Sequence, residues 1–129
     1  MSRYSFKEPC KILTESEQAE IESALKYWVG VLRLTHWRID LRELELSLGD
    51  HPNLARVSVK PHLLTADMYI VPLTLYKNDE ESYNSYSRIV LHECLHIRYK
   101  EYQKPAQEET LVCLLEDIFW ENFRKEANG

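Results

Sequence analysis

The stretch "RIVLHECLHIRYK", Arg88 to Lys100, sets two histidines and a glutamate inside an apolar run. Ile89, Val90, Leu91, Leu95 and Ile97 recur as they do along a buried helix. His92, Glu93 and His96 interrupt that surface in its middle. His92 and His96 are four residues apart, so on an α-helix they stand one turn apart on the same face and can converge on one ion. Glu93 directly follows the first histidine and is rotated about 100° from it around the axis. It stands beside whatever the pair holds rather than on it.

This H-E-x-x-H pattern carries a mechanism. Neutral imidazole nitrogens bind Zn²⁺ at about 2.0–2.1 Å in tetrahedral geometry. A glutamate next to the first histidine is placed to take a proton from water on the metal. A catalytic zinc needs three protein ligands and one open position, so a further ligand must come from another segment. No histidine follows His96, which excludes the longer H-E-x-x-H-x-x-G-x-x-H form; His36, His51 and His62 lie upstream on turns and strand edges. Downstream, "PAQEETLVCLLED" offers Glu108, Glu109 and, less well placed, Glu116. Projected at about 100° per residue, Glu108 falls near the centre of the apolar stripe of Leu111, Val112, Leu115 and Phe119. A carboxylate there needs a partner, and a metal would supply one. Glu109 falls toward the edge of the stripe, alongside Cys113 and Glu116. Each residue also has a plain reading: Glu108 favoured by the positive end of the helix, Glu109 solvated, and the histidines facing water.

Outward from the motif, the pattern reads helix, three strands, helix, helix. Residues 14–34 read as a helix that opens on a Thr14/Glu17 capping box. Ile21, Leu25, Trp28, Val29 and Leu32 line its buried face. "HWRIDLRELELSL" alternates as a strand, with one break between Leu41 and Leu44 that predicts a bulge near Arg42. "GDHPN" is a turn, and "LARVSVKP" and "TADMYIVPL" are short strands closed by Pro61 and Pro72. The motif helix is expected over about 79–101, capped by Asn78 or Asp79. The last helix is expected to begin at Pro105 and run to about 125, with Leu111, Val112, Leu115, Ile118 and Phe119 on one face. This is an α+β chain of one domain spanning residues 1–129, long enough to bury a core without staples.

Sixteen basic and 21 acidic residues give a net charge of −5, which offers no basic face for nucleic acid. Cys10, Cys94 and Cys113 are odd in number and show no paired spacing, so a disulfide framework is not expected. Cys94, inside the motif, reads as a small buried filler. The N-terminal residues lack the apolar segment of a signal peptide, and no run approaches the roughly 18 apolar residues of a membrane span. A cytoplasmic protein, with no membrane contact, is the expectation.

"HECLH" followed by a helix bearing "EET" resembles the glutamate-ligand zincin metallopeptidases, the gluzincins. The layout resembles the small single-domain zincin-like proteins of phages and prophages. They share a leading helix, a W-x-I strand, two short strands ending in proline and a V-x-H-E-x-x-H helix. "WRIDL", "ADMYIVP" and "IVLHECLHI" carry that similarity across roughly residues 14 to 120. The resemblance implies a zinc metallopeptidase acting on a peptide or protein substrate. Zn²⁺ would be held by His92, His96 and an acid, with Glu93 as general base. A small residue commonly follows the ligand glutamate in that family, which favours Glu109, before Thr110, over Glu108. The family's further acid, which orients a zinc histidine, has no match at its usual spacing, where Cys113 stands. The strand before the motif helix, "ADMYIVP", would be a sheet edge that aligns substrate. Tyr69, Tyr99, Tyr102 and His62 are candidate oxyanion donors. The alternative is a zinc-binding regulatory or protein-interaction module with little turnover, since so small a chain has little wall for a deep cleft and calls for a partner chain, a narrow substrate or no substrate at all. A metal-free structural domain is the third reading.

Overall fold

The computed structural model describes residues 4–44, 55–73, 85–100 and 105–128. Among them the chain is α+β: three helices and a small mixed sheet of three strands. Helix α1 (Glu15–Val31) opens on the expected capping box, in which the Thr14 side chain accepts from Glu17 N–H and the Glu17 carboxylate accepts from Thr14 N–H. It ends earlier than residue 34. Arg33 adopts φ 57, its N–H donates to Gly30 O, and Leu34 N–H donates to Val29 O. This pairing is a Schellman motif, which uses a left-handed residue to satisfy the last carbonyls. Ile21, Leu25, Trp28, Val29 and Leu32 are all buried, as the spacing requires.

Strands β1 (Arg38–Glu43), β2 (Ala55–Lys60) and β3 (Thr65–Ile70) lie in the order β1-β3-β2. β3 is therefore the middle strand, paired parallel to β1 and antiparallel to β2. This corrects the expectation that "ADMYIVP" is an edge: both of its sides are spent on ladders. The inner face of the sheet carries Ile39, Leu41, Ala66, Met68 and Ile70, all buried. The expected bulge near Arg42 is not there either. The register runs unbroken from Arg38↔Thr65 to Glu43↔Ile70. What broke the apolar alternation is Glu43 itself, which takes an inward position. Its carboxylate accepts from the backbone N–H groups of Lys11, Ile12 and Leu13 at 2.9, 3.0 and 2.7 Å. A polar residue is tolerated there because its oxygens are satisfied. The strand reading of residues 45–48 and the turn at 49–53 lie outside the described residues.

Helix α2 (Tyr86–Tyr99) begins later than expected, after Ser85 in extended conformation (φ −123, ψ 124). The caps proposed at Asn78 and Asp79 lie outside the described residues. α2 packs on α1, on α3 (Pro105–Asn128) and against β2, so three elements meet on it. Trp28 Nε1–H, from α1, donates to Ser87 O at 3.0 Å. α3 turns Val112 and Glu116 toward α2, while Ile118, expected on the buried face, is 50% exposed. No helix among the described residues is long and apolar enough to cross a membrane.

The start of α2 is fixed by a buried phenol. Tyr86 Oη donates to Glu17 at 2.5 Å and accepts from Leu73 N–H at 2.9 Å, tying together α1, α2 and the segment after β3. Burial pushes the Glu17 carboxyl up, but the Tyr86 and Thr14 hydrogen bonds outweigh it and hold the pKa below the ordinary 4.5. A lowered folded pKa stabilises the fold at pH values above the unfolded value and is lost as pH falls through the folded one. Tyr86→Phe keeps the ring and removes both bonds. It should cost about 2 kcal/mol in chemical denaturation at neutral pH, with a smaller difference from wild type below pH 4.5.

Candidate functional site

The site is a seam between α2 and α3. The two helices run antiparallel, so descending positions on one meet ascending positions on the other. His92 meets Glu116 and His96 meets Glu108. His92 Nδ1 lies 2.5 Å from Glu116 Oε1, and His96 Nδ1 lies 2.8 Å from Glu108 Oε1. An ionised carboxylate only accepts hydrogen bonds, so these contacts place a proton on each Nδ1. Both acids are buried, with Glu108 4% and Glu116 6% exposed. Each is also paired a second time: Arg88 Nε–H donates to Glu116 Oε2 at 2.6 Å, and Lys100 Nζ lies 3.8 Å from Glu108 Oε2. Arg88 reaches on to Asp117 at 2.8 Å and over the Trp120 ring. Burial alone would raise the Glu116 pKa, but hydrogen bonds from His92 and Arg88 hold it below the ordinary carboxylate value.

With Nδ1 occupied, the Nε2 atoms of the two rings turn toward one another at 3.2 Å. The carboxylate of Glu109 faces both, with Oε1 3.2 Å from His92 Nε2 and Oε2 2.9 Å from His96 Nε2. These three residues offer ligand atoms all within 4.8 Å of one another, a group that could hold a metal ion. If the rings are neutral, lone pairs and a carboxylate converge on one point, an arrangement that calls for a cation. In the metal-free chain a proton can serve. Burial lowers the His92 pKa, but the Glu116 hydrogen bond and the charges of Glu93, Glu116 and Glu109 more than reverse this, leaving it above the ordinary imidazole value.

Glu93 is 6% exposed. Burial pushes its carboxyl upward. The charges of His92 and His96 pull it back, and those of Glu109 and Glu116 add to the rise. The balance leaves it raised above the ordinary carboxylate value. Cys94 is fully buried among apolar residues, where desolvation keeps it a thiol. The geometry thus separates the two acids that the sequence left open. Glu109 faces the Nε2 pair, and Glu108 stands behind His96. Glu116 and Glu108, neither of them at the Cys113 spacing, are the acids that meet the Nδ1 atoms of His92 and His96. They were not recognised in that role because it depends on how α2 and α3 are aligned. The usable signal was that an acid on the buried stripe needs a partner. Tyr69 is on the sheet face opposite Met68, under Arg56, and Tyr102 lies outside the described residues. No protein-family model, curated protein or solved structure matches the chain.

Removing the Glu116 carboxylate leaves Arg88 and the His92 Nδ1–H without their shared acceptor in a largely dry seam. Glu116→Ala should destabilise the metal-free protein by about 3 kcal/mol, read as a lower denaturant midpoint in the presence of a chelator. Glu109→Ala, at an exposed position, should stay within about 0.5 kcal/mol under the same conditions.

Proposed function

We propose that the chain is a minimal zinc-dependent peptidase of the zincin kind, with Zn²⁺ held by His92, His96 and Glu109. The observation that carries this reading is the convergence of both Nε2 atoms and the Glu109 carboxylate, with each Nδ1 secured by a buried acid. Two features favour the fit. Two nitrogens bound tetrahedrally at about 2.0–2.1 Å stand about 3.3 Å apart, close to the 3.2 Å between these rings. Glu108, Glu109 and Glu116 bring three carboxylates to the histidine rings against Arg88 and Lys100, before the exposed Asp117 is counted. A divalent cation would balance them. Carboxylates behind metal-binding histidines fix the tautomer and raise the basicity of the ligating nitrogen.

The bound ion would supply Lewis acidity, drawing the pKa of a coordinated water toward about 7 and polarising a scissile carbonyl. The chain's own residues do the rest. Glu93, buried and raised in pKa, accepts the water proton and returns it to the leaving amine. Glu116 and Glu108 hold the imidazoles in one tautomer. Glu109, exposed to solvent, leaves the outer side of the site open to substrate. Strand addition belongs to β2 rather than β3, because β2 lies against α2 and ends the sheet among the described residues. An extended peptide pairing with Ala55–Lys60 gains main-chain hydrogen bonds there.

The deciding experiment is metal analysis and peptide-library cleavage with the Glu93→Gln variant beside wild type. One zinc per chain is expected in both, with cleavage reduced about 10²–10⁴-fold in the variant. His92→Ala and His96→Ala should lose the zinc. A wild type that takes up no zinc when refolded with it removes this reading. Equal cleavage by Glu93→Gln removes the base and leaves the metal.

A further inference from the structure

The strand that ends the sheet carries two cations with no acid to meet them. β2 (Ala55–Lys60) has β3 on one side and, among the described residues, no strand on the other. Its side chains alternate between the two faces. Arg56, Ser58 and Lys60 are exposed on the outer face. Val57 and Val59 turn inward, across from Met68 and Ala66, and pack against the core. The outer-face charges of β1 and β3 are matched: Arg38 and Lys7 meet Asp40, and Arg42 meets Glu8 and Asp67. Among the described residues no carboxylate pairs with Arg56 or Lys60. Arg56 lies instead over the Tyr69 ring, 4.6 Å from its centroid, which holds the guanidinium on that face. The chain as a whole has a net charge of −5, so this free edge is locally opposite in sign.

We propose that β2 selects extended peptides with the pattern acid, apolar, any residue, apolar, acid. This rests on the reading of β2 as the strand that receives the substrate. In an added strand each residue stands across from one residue of β2 and on the same face. Acids across from Arg56 and Lys60 are therefore four apart in the peptide. The residues across from Val57 and Val59 join the apolar side, toward α2. The pattern reads the same in both directions, so it holds for a parallel or an antiparallel peptide. Main-chain hydrogen bonds supply the part of the affinity that is blind to sequence, and the side-chain pairs supply the choice. Opposite charges directly across a ladder are favourable and like charges are not. The same cations exclude a second copy of the strand. Two β2 strands paired antiparallel about Ser58 set Arg56 against Lys60 at both ends. The edge thus rejects its own copy, the usual hazard of an exposed strand, while it accepts an acidic peptide. Both the attraction and the repulsion contribute to specificity.

The test uses short labelled peptides centred on Glu-Val-Ser-Val-Glu, Gln-Val-Ser-Val-Gln or Lys-Val-Ser-Val-Lys. Binding is read by fluorescence anisotropy on the full-length Glu93→Gln chain loaded with zinc, which holds a substrate without cutting it. The Glu peptide should bind about fivefold tighter than the Gln peptide, with the Lys peptide weakest. In that background the double reversal Arg56→Glu with Lys60→Glu should turn the order around. Arg56→Gln and Lys60→Gln, each alone, should each remove part of the preference. Equal affinity for the three peptides, no affinity for any, an order unchanged by the reversal, or the full preference surviving in both single variants overturns selection by β2. Those outcomes leave the zinc and its ligands standing. A wild type that takes up no zinc and yet prefers the Glu peptide loses the peptidase reading and keeps the selective edge.

Discussion

Two imidazoles whose Nδ1 protons are each claimed by a buried carboxylate have no freedom left in how they present Nε2. That constraint organises the rest of the site. Glu116 and Glu108 fix the ring planes, and the ring planes bring the two Nε2 atoms to 3.2 Å. Neutral rings at that separation direct lone pairs at each other, which is unfavourable unless positive charge lies between them. Glu109 adds more negative charge at the same point. The buried acids are kept charged in turn, as far as Glu116 is concerned, by Arg88, which Trp120 covers. The seam therefore sets the acids of α3 against the histidines and Arg88 of α2, with Glu93 of α2 beside them, around a spot suited to a cation.

The cost of burying so many polar groups bears on how to read them. A packed seam of leucines would stabilise a helix pair at least as well, because ion pairs in a dry interior seldom repay their desolvation. The arrangement instead buys orientation: each histidine is held at both nitrogens. Orientation of that kind matters to a site that binds or reacts, and it is the physical ground for the peptidase proposal.

Much of this was legible in the sequence, and the limits have identifiable causes. The one-turn spacing of His92 and His96 fixed their shared face, and the capping box at Thr14 marked the start of α1. Apolar alternation located β2 and β3. The failures came where alternation or spacing was asked to report on partners. Glu43 looked like a register break because nothing local reveals three backbone donors about 30 residues away in sequence. Strand order was invisible, since β1, β2 and β3 are consecutive in sequence and β3 inserts between the others. The roles of Glu108, Glu109 and Glu116 depend on the alignment of α3 on α2. Residues that meet across an antiparallel pair have numbers with a nearly constant sum, as His92 with Glu116 and His96 with Glu108 do. Helical projection of one helix alone says nothing about that sum.

The placement of α2 has a consequence for how the molecule comes apart. α1, α3 and β2 all rest on it, and its first residue is bound to two other segments. Its middle turns are covered by α1, α3 and β2, while Arg98 and Lys100 at its C-terminal end are exposed. Turns held from several sides open together with what covers them rather than singly. The two histidines lie in that covered part, so the site persists only as long as α2 stays packed on its neighbours.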